Sequence, residues 1–514
     1  MAARLWRWLR EDVWEIRFRR YVALLLAALV VAAAVWLGLV MTREDRSCAP
    51  GVARPEGSSD CVGVSATAYD FGRSRFTETV RAIDRENHRL KPGGYVTVAL
   101  FLPFTASAPA SLNDIQHQLQ GAYLAQYQAN HDTDDQSPAI RLVLANPGAD
   151  GAHWQTVVDR LEAMAKGPDT LRAVTGIGQS TDSNKKAVRA LTRRGIPVIG
   201  TSITADDLAN GQGGEEPYPG LARVSPTNTD EARALTSFAR VSGGKALLVY
   251  DKPGDPYTRT LQTSFEKLLS GSRIEPQSFT PPDDRTLDGT TGNQFRQIAS
   301  VVCDTPASVN TLLFAGRHTQ LRQLVNALGE RGCTDRKLTV LTGDEGSYLT
   351  GDRKLKREAL TRNLAVRYTS LAHPDAWTKE SPATGGSAAD ARTLTDLITR
   401  SREQPLGPIG HVALEDGQLI IAYDAMRLAV QGLREATPKG RAVPPLAEVV
   451  NEWSFIKGSH RVNGASGWIC LDGYGNPYDK AVPVVELMPS GGSRFVRLAW
   501  PEGKPPAKEC LPPA

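Results

Sequence analysis

Between residues 95 and 370 the sequence alternates short β-branched runs with segments of helical periodicity. Such alternation is typical of βαβ units and predicts parallel sheets covered by helices on both faces. The pattern runs through once and then repeats, so we expect two sheets in series. The predicted strands are 95–102, 140–145, 173–177, 196–199, 246–250, 312–315, 338–342 and 364–368, and the predicted helices are 112–130, 154–166, 184–194, 230–241, 257–269, 320–329 and 419–435.

The N-terminal part of the chain contains a long run without charge, residues 21–41, which reads YVALLLAALVVAAAVWLGLVM. A run of about 20 apolar residues is long enough to cross a bilayer as a helix. Six arginines precede it, which predicts a cytoplasmic segment 1–20, a transmembrane helix 21–41 and a main domain outside the cell, in a single-pass cell-membrane protein. The alternative is a cleaved signal peptide, although the run exceeds the usual length and no small-x-small site closes it.

The composition indicates an ordinary globular protein rather than a disordered one. Of 514 residues, 41% are hydrophobic and 23% are charged, and the net charge is +4. This length suits two or three core-forming units. Lysines and arginines are scattered among acidic residues and form no basic face, so a nucleic-acid partner is not expected.

All six cysteines follow the apolar run, and an even number outside the cytoplasm predicts disulfides. Six cysteines allow 15 connectivities, and we favour nearest-neighbour pairing because each pair then closes a modest local loop. None are spaced as CxxC, which gives no support to a zinc site or to thioredoxin chemistry. The expected pairs are Cys48–Cys61, Cys303–Cys333 and Cys470–Cys510.

Three further segments complete the predicted organisation. Residues 42–94 are interpreted as a Gly-, Pro- and Ser-rich stalk followed by a packing helix. Residues 464–487 are predicted to form a β-hairpin around a GYGNP turn, and residues 501–514 form a Pro-rich tail.

Hydroxyl-rich loops follow the predicted strands of the first sheet. Ligands of open parallel sheets bind outside the carboxyl ends of the strands. Ser180 and Thr181 follow one such strand, and Ser202 and Thr204 follow the next. Hydroxyls together with helix N-termini suit an anionic group such as a carboxylate. The alternative for each residue is simple helix capping.

The loops of the second sheet offer a different chemistry. Tyr257 supplies an apolar wall with a polar tip, and Asp344 or Glu345 suits a cationic group. Arg317 and His318 follow another strand and are interpreted as part of a solvated loop.

Four segments carry a resemblance to a known family: GIGQSTDSNKKAVRALTRRGIPVIGTSITADDL, ARVSPTNTDEARAL, ALLVYDKPGDPYTRTLQTSF and GASGWICLDGYGNP. In order and spacing they resemble the type I periplasmic binding proteins of branched-chain amino-acid ABC uptake systems, over roughly 95–487. The resemblance implies two lobes joined by three crossovers, with 95–225 plus 371–457 in lobe one and 226–370 plus 458–500 in lobe two.

The resemblance also implies roles for individual residues. Ser180 with 202–204 would take a ligand carboxylate, Tyr257 would pack over the ligand, and Glu345 would sit near its amino group. The family usually has an aspartate for the ammonium group where this chain has Asn228, and an amide brings no net charge to that bond.

The function expected from these features is reversible capture of a small polar, amino-acid-like solute by lobe closure, for delivery to an ABC permease. The alternatives are a sensing ectodomain that works with a partner membrane protein, a non-binding scaffold, and an enzyme. The sequence lacks HExxH, GxSxG, P-loop and Rossmann motifs, so no enzymatic activity, metal or cofactor is predicted.

Overall fold

The structure is a computed structural model that describes residues 17–41, 46–131, 138–241, 243–284, 286–439 and 441–512. The chain divides into two compact units, 1–48 and 49–514. Most of the predicted cytoplasmic segment, 1–16, lies outside the described residues, as do 42–45 of the predicted stalk and 513–514 of the tail.

The first unit contains one α-helix, α1 (Arg17–Met41). Its described apolar side chains are largely exposed, as at Leu25, Val30 and Trp36. Within the described residues, no helix combines the length and the hydropathy that a membrane crossing requires.

The second unit alternates strands and helices along most of its length. Its helices are α2 (Thr77–His88), α3 (Pro109–His131), α4 (Trp154–Lys166), α5 (Asp182–Arg193), α6 (Asn228–Ala239), α7 (Pro256–Leu268), α8 (Thr291–Asp304), α9 (His318–Gly329), α10 (Ala376–Lys379), α11 (Ala388–Arg400), α12 (Gln418–Glu435) and α13 (Leu446–Glu452). After β1 (Ser47–Ala49), its strands are β2 (Val52–Ala53), β3 (Val62–Ser65), β4 (Tyr95–Phe101), β5 (Ala139–Asn146), β6 (Leu171–Gly176), β7 (Val198–Gly200), β8 (Leu221–Arg223), β9 (Ala246–Asp251), β10 (Gln277–Phe279), β11 (Thr311–Ala315), β12 (Leu338–Thr342), β13 (Leu364–Thr369), β14 (Val462–Gly464), β15 (Gly467–Ile469), β16 (Val482–Leu487) and β17 (Ser493–Ala499).

These strands form two large sheets, as predicted. From β2 onwards the first sheet has the order β2-β3-β5-β4-β6-β7-β8, and the second has the order β10-β9-β11-β12-β13-β16-β17. We call the first sheet with its flanking helices lobe one and the second lobe two. Each has a parallel centre with antiparallel strands at one edge, namely β2 and β3 in lobe one and β16 and β17 in lobe two. The sheets are therefore mixed rather than purely parallel.

Two predictions about local structure were wrong. Residues 464–487 do not form a single hairpin, because β16 pairs with β13 and β17 while β15 pairs only with β14. Part of the predicted stalk lies within the sheet, since β3 pairs with β5. The sequence reading also missed β10 and α8, which follow one another in lobe two.

Cross-links confirm two of the predicted cysteine pairs. Disulfides join Cys303 to Cys333 and Cys470 to Cys510. Cys48 and Cys61 are disulfide-bonded as well. Stable disulfides indicate an oxidising compartment.

The centre of lobe one is a close contact between α3 and α12. A Cβ atom at Gly121 of α3 would lie 2.2 Å from the Leu419 carbonyl oxygen and 2.8 Å from the Tyr423 backbone nitrogen. Only glycine permits this approach of the two backbones. The packing positions α3, whose first turns reach the cleft described below.

We predict that Gly121→Ala destabilises the protein by about 1–3 kcal/mol or more, since the added methyl group has to push two helices apart. The matched control is Gly292→Ala in α8, where a Cβ atom meets nothing within 4 Å. Alanine also has the higher helix propensity, so this control is expected to be neutral or slightly stabilising. Urea unfolding of both variants measures the difference, and equal midpoints would contradict the close-contact argument.

Candidate functional site

The carboxyl ends of parallel strands from both lobes face a common cleft. Lobe one lines the cleft with the loops after β4, β5 and β6, and lobe two lines it with the loops after β9, β10 and β11. Ligands of open parallel sheets bind at such strand ends. Several side chains in this cleft join one lobe to the other.

The main link is Arg317, which directly precedes α9 in lobe two and is 6% exposed. Its Nη2 donates to the carbonyl oxygen of Ser180 in lobe one at 2.7 Å. Its Nε donates to Asp255 at 2.8 Å and its Nη1 to Glu345 at 2.5 Å. The two carboxylates balance the positive charge of this buried guanidinium, and the three hydrogen bonds hold it in one orientation.

The surroundings of Arg317 stabilise its charge. Its guanidinium carbon lies 4.7 Å from the centre of the Tyr257 ring, a cation–π contact. Burial alone would lower the pKa of Arg317, but Asp255 and Glu345 raise it above the ordinary value. Burial would likewise raise the pKa of Glu345, but Arg317 and His318 hold it down to about 2. Glu345 is therefore ionised throughout the physiological range.

A second link joins the lobes through Tyr348. Its hydroxyl donates to Asp114 of α3 at 2.7 Å and accepts from Gln179 at 3.0 Å. The ring of His318 stacks on Tyr348 at 4.7 Å, and His318 Nδ1 lies 2.7 Å from Glu345. Burial raises the pKa of Asp114 to about 6. The Tyr348 link thus continues the Arg317 network along the cleft.

Two further carboxyl groups lie buried behind this network. Glu231 is 1% exposed and accepts from the backbone amide of Asp344 at 3.2 Å and from the hydroxyl of Thr369. Burial raises the pKa of both Glu231 and Asp344. The negative charge of Asp344 raises the pKa of Glu231 further, and that of Glu345 raises the pKa of Asp344 further. Glu231 Oε1 and Asp344 Oδ1 are buried without a hydrogen-bond partner among the described residues.

The predicted lobe-one residues lie near the cleft, but most of their side chains form hydrogen bonds with the protein's own backbone. The Ser180 hydroxyl accepts from the backbone amides of Thr204 and Ala205 at 3.0 and 3.1 Å. Ser202 donates to the Gly178 carbonyl oxygen at 3.3 Å. Thr181 caps α5 by accepting from the Asn184 amide, which is the capping alternative weighed above. Of these predicted residues, only Thr181 lines the cavity of the cleft.

The predicted lobe-two residues and Asn228 are buried as well. Asn228 is fully buried, and its side-chain amide donates to the Tyr257 carbonyl oxygen and to Thr260, each at 2.8 Å. The Tyr257 hydroxyl lies 3.4 Å from the amide of Glu345. The resemblance placed a ligand's amino group near Glu345, and in the structure Arg317 occupies that position.

A cavity of about 550 Å³ remains beside this network. Its volume lies within the usual range of small-molecule sites. One wall is apolar, and the remainder is largely acidic and amide-bearing. Its lining includes Leu102, Pro103, Ala106, Ser111, Asp114, Ile115, Asp150, Gln179, Thr181, Asp182, Asn184, Asp255, Asp283, Asp284, Arg317 and His318.

The interpretation of Arg317 and His318 as a solvated loop was wrong. Arg317 is buried because Asp255, Glu345 and the Ser180 carbonyl oxygen replace the water that it loses. The signal available in the sequence was position, since Arg317 comes two residues after the end of β11. Asp114 and Tyr348 were missed because neither falls in the loop that directly follows a predicted strand.

No group of three or more His, Cys, Asp or Glu side chains is placed to hold a metal ion within the described part of the chain.

No protein-family model and no curated protein matches the chain. Solved structures do match over most of its length. LivJ from Streptococcus pneumoniae, a branched-chain amino acid transporter substrate-binding protein in complex with isoleucine, is 15% identical, covers 78% of this chain and 99% of its own, and has a TM-score of 0.55. An ABC transporter substrate-binding protein from Desulfitobacterium hafniense in complex with Leu is 16% identical, covers 78% and 100%, and has a TM-score of 0.56.

A third similar structure is a solute-binding protein of an ABC transporter from Rhodopseudomonas palustris BisB5, in complex with 3,4-dihydroxybenzoic acid. It is 14% identical, covers 79% of this chain and 97% of its own, and has a TM-score of 0.53. The chain has the type I periplasmic binding protein fold. The predicted α/β fold of two sheets is thereby confirmed. All three similar structures are binding proteins of transporters rather than enzymes.

We predict that Arg317→Met destabilises the protein by about 3–5 kcal/mol, because it leaves Glu345 buried without its guanidinium partner. Arg259→Met is the matched control. Arg259 also joins the lobes, through Asp207 at 2.8 Å, but its side chain is 46% exposed. Loss of such an exposed pair costs about 0–1 kcal/mol. Urea unfolding at neutral pH measures both, and similar losses for the two variants would refute the assignment of Arg317 as the central link.

Proposed function

We propose that this protein is an extracytoplasmic solute-binding protein that captures a small polar, amino-acid-like ligand between its lobes. The observation that carries the proposal is the cavity of about 550 Å³, which is lined from both lobes at the ends of their strands. A ligand that contacts both lobes stabilises the closed arrangement over an open one, and no covalent chemistry is needed. The similar structures are substrate-binding proteins of transporters, so the proposal extends to delivery of the ligand to ABC permease subunits.

One observation favours a second candidate, a non-binding scaffold of the same fold. Arg317 fills the position beside Glu345 and uses Ser180 as a partner, so this part of the cleft is satisfied by the protein itself. In a scaffold the lobes would remain locked by these bonds, and no solute would be needed to hold them.

Ligand screening separates the two candidates. We expect at least one compound from a panel of amino acids, short peptides, diamines and hydroxybenzoates to raise the melting temperature of the full-length protein. A ligand at 100 times its Kd stabilises the folded state by about 2.7 kcal/mol. Ser111→Trp places an indole in the cavity and is expected to abolish the shift, whereas Ser308→Trp, at an exposed site in lobe two, is expected to retain it. A flat response to the whole panel would favour the scaffold.

We further propose that residues 21–41 anchor the protein in the cell membrane, with the binding domain outside. The support is the uncharged sequence of this segment and the arginines that precede it. The two disulfides of the binding domain fit an oxidising compartment on the outer side.

The anchor proposal predicts that the full-length protein stays with membranes during alkaline carbonate washing and retains residues 1–20 by mass spectrometry. A Leu29→Arg/Val30→Arg variant is expected to be released, because each central arginine costs about 2.5–3.5 kcal/mol in the bilayer. Leu268→Arg, at an exposed site outside the segment, serves as the control. A soluble protein that begins beyond residue 41 would instead establish a cleaved signal peptide.

A further inference from the structure

The described residues that line the cavity are strongly acidic. They include six aspartates and one arginine. Lobe one contributes Asp114, Asp150 and Asp182, and lobe two contributes Asp255, Asp283 and Asp284.

The arginine does not balance these charges. Arg317 is already paired with Asp255 and with Glu345, which lies behind it. The other five aspartates of the lining form no ion pair with a described lysine or arginine. A cavity lined in this way has a negative potential.

Asp114 is the most enclosed of these aspartates, with 6% exposure. It receives hydrogen bonds from Gln118 at 2.8 Å and Tyr348 at 2.7 Å, but neither donor carries a positive charge. Burial raises its pKa to about 6, since burial outweighs the lowering by the two hydrogen bonds and by the charge of nearby His117. A bound cation would stabilise that ionised form.

An independent observation comes from Asn184, which is 8% exposed and also lines the cavity. Its side-chain nitrogen donates to the carbonyl oxygens of Ile177 and Gln179 at 2.5 and 2.7 Å. Its side-chain oxygen accepts no hydrogen bond from a described residue. An ammonium or guanidinium group in the cavity can donate to this oxygen.

The lining of the cavity also has an apolar part. Leu102, Pro103, Ala106 and Ile115 present apolar surface to the same cavity. Hydrocarbon is favoured against such a wall, and charged groups are favoured on the aspartate side. The combined surface matches a molecule that has alkyl segments and positively charged ends.

The distribution of the aspartates over both lobes gives the charge a mechanical role. In the proposed closure of the lobes, Asp114, Asp150 and Asp182 would approach Asp283 and Asp284, and like charges oppose that approach. A cation between the two sets converts the repulsion into attraction. Ligand capture and lobe closure are thereby coupled through charge.

We propose that the ligand is a small organic polycation, with two or more ammonium or guanidinium groups joined by alkyl segments. The inference rests on the proposed solute capture and changes the ligand class from amino-acid-like to polycationic. It also means that carboxylate ligands such as those of the similar structures are disfavoured here, because the cavity would repel their anionic groups.

The test is calorimetric titration of the full-length protein, purified in mild detergent, with spermidine, leucine, 4-hydroxybenzoate and calcium chloride as separate probes. We expect spermidine to bind, and its affinity to fall at least about tenfold between about 50 mM and about 500 mM NaCl. Asp150→Asn/Asp182→Asn is expected to weaken spermidine binding at least about tenfold. Both side chains are exposed at the rim of the cavity, so the variant is expected to fold normally.

The matched control is Asp304→Asn/Asp396→Asn, which removes the same net charge from exposed sites outside the cavity lining. We expect it to leave spermidine affinity within about twofold, since charges beyond a Debye length are screened. If both double variants weakened spermidine binding equally, the effect would come from general charge attraction, and the assignment of the cavity as the spermidine site would be wrong.

The remaining outcomes distinguish this inference from the proposed function. Binding of leucine or 4-hydroxybenzoate without spermidine overturns the polycation inference and leaves solute capture intact. Binding of calcium alone overturns the organic class of the ligand. Absence of binding by all four probes, together with a flat response to the wider panel, overturns both proposals.

Discussion

The arrangement of the two lobes depends on one buried guanidinium. Arg317 belongs to lobe two and is neutralised there by Asp255 and Glu345, yet its third bond is to the Ser180 carbonyl oxygen of lobe one. Removing a charge from water is costly unless its partners are correctly placed. The two carboxylates and the carbonyl therefore have to surround Arg317 at the same time. This requirement fixes the loops after β6, β9, β11 and β12 relative to one another.

This arrangement also determines which part of the cleft is open to a solute. The region beside Glu345 is occupied by the protein's own cation, and the hydroxyl of Ser180 is engaged by backbone amides. The open volume lies instead along the first turns of α3 and α5 and the loop that contains Asp283. Ligand chemistry is consequently set by aspartates and Asn184, rather than by the hydroxyls predicted to receive a carboxylate.

The sequence predicted what depends on local periodicity and missed what depends on long-range pairing. Alternating strands and helices were recognisable because each buries one face, and this pattern led to two sheets and to their loop-bearing edges. The partner of β16 was misassigned because it is β13, more than 100 residues away, instead of the neighbouring β15. Arg317 was taken as solvated for the same reason, since the groups that replace its water come from three separate loops.

The proposed ligand and the lobe contact share one carboxylate. Asp114 faces the cavity and also accepts the hydroxyl of Tyr348 from the opposite lobe. A cation beside Asp114 favours its ionised form, and an ionised carboxylate is a stronger acceptor than a neutral one. Binding in the cavity then strengthens the bond that joins the lobes at Tyr348. Because coupling is reciprocal, closure at Tyr348 holds Asp114 in the form that attracts the cation.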